Sequence, residues 1–134
     1  MRVQITYKNT HNFSKRQLEE LFNSFESDEG KFPEKLAITM KNYDSIFSAW
    51  DGEDLVGVVC VMDDGLINAY VHYLLVKPEY RLKGIGKQLA ERVKNHYKDY
   101  LHIVIIANDS ELRFYEYCGF EKLQNSTPMH VINR

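Results

Sequence analysis

The stretch Tyr70–Gln88, YVHYLLVKPEYRLKGIGKQ, constrains this chain more than any other. An apolar run of strand character, Tyr70 to Val76, meets a turn at Pro78. Arg81, Leu82, Lys83, Gly84, Ile85 and Gly86 follow, and then an amphipathic helix begins. A strand that passes through a basic, Gly-rich turn into a helix N-terminus is an anion cradle. Unpaired backbone N–H groups converge there, and the helix dipole adds partial positive charge at the same point. A pyrophosphate suits such a junction. The competing reading is a turn that needs glycine for backbone reasons alone, with Arg81 and Lys83 solvated.

The rest of the chain bounds the context. Its 134 residues suit a single domain, 1–134, with a sizeable core. A formal net charge of −2 argues against nucleic-acid binding through a basic field. No window approaches a membrane span, and Met1–Lys8 reads as strand rather than as a leader. Cys60 and Cys118 sit in apolar contexts without metal-ligand spacing, as buried free thiols would, which points to a cytoplasmic home. The histidines also lack metal spacing, so no metal is expected.

Periodicity predicts the elements. Arg2–Tyr7 alternates as a half-buried strand. Ser14 with Gln17 forms a capping box, Phe13 with Leu18 a hydrophobic staple, and Leu18, Leu21, Phe22 and Phe25 an apolar helix face. Glu26–Lys31 is a loop, and Pro33 suits the first turn of a second helix with Leu36, Met40 and Tyr43 inward. Ile46–Trp50 and Leu55–Met62 flank the turn Asp51–Asp54 as a hairpin, and Asn68–Val76 is the next strand. The helix after Gly84 buries Ile85, Leu89, Val93 and Tyr97. Leu101–Ala107 reads as a strand covered on both faces. A helix from about Ser110 to Cys118 stops at Gly119, and Phe120–Gln124 and Pro128–Ile132 read as closing strands. The order β-α-α-β-β-β-α-β-α-β-β defines an α/β fold, a mixed sheet with helices on its faces.

Two familiar phosphate-binding patterns fail at the glycines. A Rossmann fingerprint needs a third glycine where Leu89 stands, and an acidic residue ending a following strand about twenty residues on, which the chain lacks. A P-loop needs glycine where Arg81 stands and Ser or Thr where Gln88 stands. What remains is R-x-x-G-x-G at a strand–helix junction. Val76, Pro78, Tyr80, Arg81, Gly84, Ile85 and Gly86 stand in register with V-x-P-x-[YF]-[RQ]-x-x-G-[IV]-[GA]. Asn108, Phe114, Tyr115, Glu116, Gly119 and Phe120 match N-x-x-A-x-x-[LF]-Y-E-x-x-G-F. In these two elements the chain resembles the GNAT superfamily of acyl-CoA N-acyltransferases, most clearly over residues 55–120.

The resemblance implies a GNAT fold, with a central mixed, mostly antiparallel sheet flanked by helices, and acetyl-CoA as cosubstrate. It implies that the backbone of Leu82, Lys83, Gly84, Ile85, Gly86 and Lys87, with Arg81 beside it, holds the coenzyme A pyrophosphate. The strand ending at Val76 would splay from the strand at Leu101–Ala107, and the pantetheine arm would pair with Leu74, Leu75 and Val76. Tyr115 would protonate the leaving thiolate. Periodicity alone offers a core aromatic at Tyr115 instead. Asn108 would contact the pantetheine arm, and as an N-cap it also makes a capping box with Glu111. Leu82 stands where the family commonly has glycine, and Glu111 where it has a small residue.

The general base stays open. The strand before the cradle offers Tyr70, His72 and Tyr73 and no carboxylate. His72 has a suitable pKa range. Strict alternation, however, puts Tyr70, His72 and Leu74 on one face and Val71, Tyr73 and Leu75 on the other, and a surface or core histidine is the competing reading. Glu26, Asp28 and Glu29 form an acidic loop that could attract a cationic amine or simply be solvated. Trp50, Tyr43 and Tyr70 are candidates for a substrate wall or for the core. The resemblance implies transfer of an acetyl group to a primary amine of a small molecule or peptide. Protein N-terminal or lysine acetylation, and a non-catalytic acyl-CoA-binding module, are the alternatives. A homodimer through the C-terminal strands is compatible with it.

Overall fold

The computed structural model describes residues 4–25 and 28–133. Its sheet has five strands in sequence order: β1 (Thr6–Lys8), β2 (Ser45–Asp51), β3 (Asp54–Asp63), β4 (Asn68–Val76) and β5 (His102–Ile105). The first three pairings are antiparallel, and β4 with β5 is parallel. Helices α1 (Lys15–Asn23) and α2 (Pro33–Asn42) cover one face. Helix α3 (Ile85–His96) covers the other, and the short α4 (Leu112–Tyr117) follows β5.

Local signals fix most of these elements. The Ser14 hydroxyl accepts the Gln17 N–H at 3.1 Å, and the Gln17 side chain accepts the Ser14 N–H at 2.9 Å, so the capping box is complete. Pro33 opens α2, and Leu36, Met40 and Tyr43 point into the core beneath it. At the end of α4, Gly119 takes φ +96°. Its N–H bonds the Glu116 carbonyl and the Phe120 N–H bonds that of Tyr115, a Schellman closure. Leu18, Leu21, Phe22, Leu36 and Met40 pack on Ile46, Val58 and Cys60 on one side of the sheet. Ile85, Leu89, Val93 and Tyr97 pack on Val59, Val61 and Val71 on the other.

The structure departs from the sequence reading in four places. Residues 120–133 form no strand, so the two closing strands are absent. In consequence β5 is an edge strand and only half buried, rather than covered on both faces. The capping box at Asn108 is not formed: that side chain makes no cap bond, and only the Asn108 carbonyl accepts the Glu111 N–H, at 2.9 Å. Strict alternation along β4 also fails. Cys60 pairs with Tyr73 and Val61 with Val71, which leaves His72 as an unpaired extra residue. This β-bulge turns the strand, so Tyr73 and Leu75 join the α1/α2 face while Val71, Leu74 and Val76 join the α3 face. The N-terminal strand begins at Thr6 among the described residues; Arg2 and Val3 lie outside them, as does Glu26 of the acidic loop.

Candidate active site

The bulge at His72 falls where the β4–β5 pairing ends. β4 pairs with β5 only from Asn68 to Val71. From Tyr73 to Val76 it pairs with β3 alone, so its other backbone edge is free. The parallel pairing thus stops at Val71, and Leu74, Leu75 and Val76 lie beyond it.

Beyond Val76 the chain turns through Pro78–Tyr80 into the glycine loop. Tyr80 ties this turn to the β2–β3 hairpin by donating its hydroxyl to Asp51 Oδ2 at 2.5 Å. That bond, ahead of burial, raises the Tyr80 pKa to about 12. The first hydrogen bond of α3 runs from the Gln88 N–H to the Gly84 carbonyl at 3.0 Å. No acceptor among the described residues meets the backbone N–H groups from Leu82 to Lys87. Gly84 is the N-cap with φ +80° and has no side chain to cap them. A Cβ on Gly84 would meet open space, so glycine is needed there for its backbone angle.

Gly86 is needed for a different reason. A Cβ there would stand 2.9 Å from the Phe114 ring of α4. The second glycine therefore lets α4 dock against the start of α3, in addition to any approach by a ligand. Leu82 is fully exposed and holds φ +62°, a left-handed angle that disfavours a branched side chain. Its position explains why glycine would be at ease there. The cations around the loop are arranged by aromatic rings: Arg81 lies 5.5 Å from the Phe25 ring centre, and Lys87 Nζ 4.2 Å from that of Tyr117. Lys83 makes no ion pair among the described residues and stays exposed.

Tyr115 is 5% exposed, between Phe114 and Phe120 at ring distances of 5.1 and 5.8 Å. Its hydroxyl finds no hydrogen-bond partner among the described residues, although buried hydroxyls ordinarily have one. Burial, then the charge of Glu111, pushes its pKa well above the ordinary phenol value, so it keeps its proton. Asn108 lies just before α4, exposed and with its side chain free.

On the α1/α2 face the bulge gathers Tyr70, His72 and Tyr73. The His72 ring lies 4.2 Å from Tyr73 and 5.8 Å from Tyr70, centre to centre. Tyr43, at the end of α2, puts its hydroxyl 2.6 Å from His72 Nδ1. With the His72 hydrogen on Nε2, Nδ1 accepts the Tyr43 hydroxyl; with it on Nδ1, the Tyr43 oxygen accepts. Burial lowers the His72 pKa and outweighs the opposing charge of Glu29, so the ring is neutral near pH 7. Glu29 itself accepts the Tyr73 hydroxyl at 3.1 Å. Beside it lies a cleft of about 150 Å³ lined by Glu29, Phe32, Lys35, Leu36, Thr39 and Tyr73. Trp50, by contrast, is a core residue whose indole N–H donates to Ser48 Oγ at 2.8 Å. The Tyr43–His72 bond was not legible in the sequence, where Tyr43 reads only as an inward helix residue or a substrate-wall candidate.

An open strand edge, a helix N-terminus with bare amides and a buried, unpartnered phenol occur together on a five-stranded mixed sheet. The profile of the Acetyltransferase (GNAT) family matches residues 11–120. An uncharacterised N-acetyltransferase encoded in the lysA 3′ region of Bacillus methanolicus is 30% identical over 92 residues, covering 63% of this chain and 72% of that protein. A GNAT family acetyltransferase from Streptococcus pneumoniae superposes with a TM-score of 0.82 at 27% identity, over 98% of this chain and 99% of that one. An aminoglycoside acetyltransferase from an uncultured soil metagenomic sample, solved with sisomicin, shares the fold with a TM-score of 0.72 at 19% identity, over 97% of each chain. The chain belongs to the GNAT acetyltransferase family, whose members generally use acetyl-CoA. Among the described residues no helix is long and apolar enough to cross a membrane.

Proposed function

We propose that this chain moves an acetyl group from acetyl-CoA to a primary amine of a small molecule or peptide, by direct attack in a ternary complex. The observation that carries the reading is the run of unpartnered N–H groups from Leu82 to Lys87, set beside the unpaired edge of β4. Such amides supply pyrophosphate donors at no cost in side-chain ordering, and the α3 dipole favours the charge. Arg81, Lys83 and Lys87 add positive charge around them. The free backbone of Leu74, Leu75 and Val76 offers the pantetheine arm a strand to pair with, and Asn108 offers a free amide.

Proton traffic follows from the two phenols. As the amine nitrogen bonds to the thioester carbonyl carbon, the C–S bond breaks and the thiolate takes the Tyr115 proton, which solvent later restores. The proton lost by the amine passes to the Tyr43 oxygen while the Tyr43 hydrogen moves to His72 Nδ1. The neutral ring is ready to accept it. The cleft beside Tyr73 is small, and Glu29 sets a carboxylate against an ammonium there. That volume favours a slender amine over a bulky one.

A thiol-release assay with acetyl-CoA across polyamines, aminoglycosides, amino acids and short peptides tests the reading. Tyr115→Phe should lower turnover by roughly 10²-fold or more while acetyl-CoA affinity is kept. Unchanged turnover removes Tyr115 from the chemistry. No binding of acetyl-CoA at millimolar concentration overturns the whole assignment.

A further inference from the structure

The cleft beside Tyr73 is lined by two opposite charges that do not neutralise each other. Glu29 comes from the short helical turn Asp28–Lys31, and Lys35 from the first turn of α2. No ion pair joins them, and neither enters one with any other described residue. Their neighbours outside the lining behave differently. Asp28 pairs with Lys31 at 3.5 Å, and Glu34 with Lys15 at 3.5 Å. Lys35 instead stands over the Phe32 ring, 5.0 Å from its centre, which keeps the ammonium at the cleft wall. The Tyr73 hydroxyl holds Glu29 Oε2 and leaves Oε1 without a partner among the described residues. Thr39 follows Lys35 by one helical turn, so it lies on the same side of α2, and its hydroxyl makes no hydrogen bond among the described residues. The rest of the lining is apolar, from Phe32, Leu36 and the Tyr73 ring.

The negative end adjoins the chemistry. Glu29 is bonded to Tyr73, whose ring lies 4.2 Å from that of His72, and His72 Nδ1 meets the Tyr43 hydroxyl. An ammonium seated at Glu29 arrives beside the pair that would take its proton. A second ammonium at the other end meets Lys35 and is repelled, and a neutral tail leaves that charge unanswered. An anionic tail answers it, with the Thr39 hydroxyl as a further donor. One ammonium and one hydroxyl match the single charge and two oxygens of a carboxylate. The volume, about 150 Å³, holds only a small molecule.

We propose that the acceptor is a small free amino acid, its amine held by Glu29 and its carboxylate by Lys35 and Thr39. This rests on the acetyl-transfer reading above and narrows the acceptor from primary amines in general to aminocarboxylates. Lys35 becomes the residue that sets specificity. A polyamine fails at Lys35, and an amidated residue lacks the charge that Lys35 requires.

Thiol release from acetyl-CoA, compared between glycine, alanine and β-alanine and their carboxamides, tests it, with ethylenediamine as the dication. Acid and carboxamide differ in charge and hardly in shape. The less basic amine of the carboxamide works against an acid preference and so cannot create one. The ratio of kcat/KM should favour the acids by roughly tenfold or more, the worth of a charge-assisted bond. Lys35→Gln should bring acid and carboxamide to within about twofold of each other, and Lys35→Glu should turn the preference toward the diamine. Lys35 is exposed, so both variants should melt with the unaltered chain. Binding is read without turnover by NMR in the presence of coenzyme A: alanine should shift the Glu29, Lys35 and Thr39 amide resonances, and alaninamide should not. Carboxamides or diamine acetylated as fast as the acids overturn the proposal and leave acetyl transfer standing. An acid preference that survives both Lys35 changes overturns it too. If no amine is acetylated while alanine still shifts those resonances, acetyl transfer falls and the amino-acid site remains; neither release nor shift overturns both.

Discussion

Tyr43→Phe removes one oxygen and keeps the ring, so it isolates the bond to His72. Tyr43 Oη and Nδ1 stand 2.6 Å apart, and in the tautomer with hydrogen on Nε2 Tyr43 donates to the Nδ1 lone pair and stabilises the neutral imidazole. Burial already holds the His72 pKa below its ordinary value, against the pull of Glu29. Taking the donor away should therefore raise the pKa. A net hydrogen bond contributes about 1 kcal/mol, and 1.36 kcal/mol corresponds to one pH unit. The His72 pKa should accordingly rise by roughly 0.7 of a pH unit. Its imidazole resonance, followed by NMR across pH, reads this directly, and the acidic limb of kcat/KM should move alkaline by a similar amount. Glu29→Gln should move the same pKa the other way, because it deletes the charge that favours the imidazolium. A pKa that stays put or falls in Tyr43→Phe would refute the argument, since Nδ1 would then carry the hydrogen and Tyr43 accept it. In that case the relay through the phenol oxygen could not run.

Two further substitutions test the loop. Leu82→Gly releases a fully exposed side chain from a left-handed angle that costs about 1–2 kcal/mol. Part of the gain is lost to the greater freedom of glycine in the unfolded chain, so thermal melting should rise by a few degrees; an unchanged or lower melting temperature would show that the loop is not strained there. Gly86→Ala sets a methyl 2.9 Å from the Phe114 ring and should cost about 1–3 kcal/mol by overpacking. Denaturant unfolding measures that cost, and because α4 must shift, turnover should fall with it; full stability would mean that the ring simply turns aside.

The parts of the site that were legible in the sequence are those that local rules govern. Gly84 is a glycine because the N-cap of α3 sits at φ +80°, and the motif around it announces that junction without any partner strand. Ser14 with Gln17, Pro33 and Gly119 likewise act within a few residues of themselves, and each does what its spacing predicts. The misreadings involve pairing. Asn108 has the residue types of a capping box, yet a tight turn takes its carbonyl in place of its side chain. Phe120–Gln124 and Pro128–Ile132 have strand chemistry but form no strand.

His72 shows most sharply why such features escape a linear reading. Strand alternation is a property of one chain, whereas a bulge is a property of two. Whether the β4 residue after Val71 pairs or is left over depends on how β3 is registered against β4, and both flanks of the bulge are ordinary apolar alternation. Around His72, the residue left over, three features coincide. Val71 and Tyr73 go to opposite faces, His72 comes within reach of Tyr43, and the β4–β5 pairing ends. The candidate base and the start of the candidate cofactor channel thus meet at the same extra residue. Deleting His72 should accordingly extend the β4–β5 pairing and abolish acetyl-CoA binding together with the acidic limb. His72→Gln keeps the bulge and should remove only the acidic limb. Acetyl-CoA affinity measured by calorimetry separates the two, and equal loss in both variants would break the link between bulge and channel.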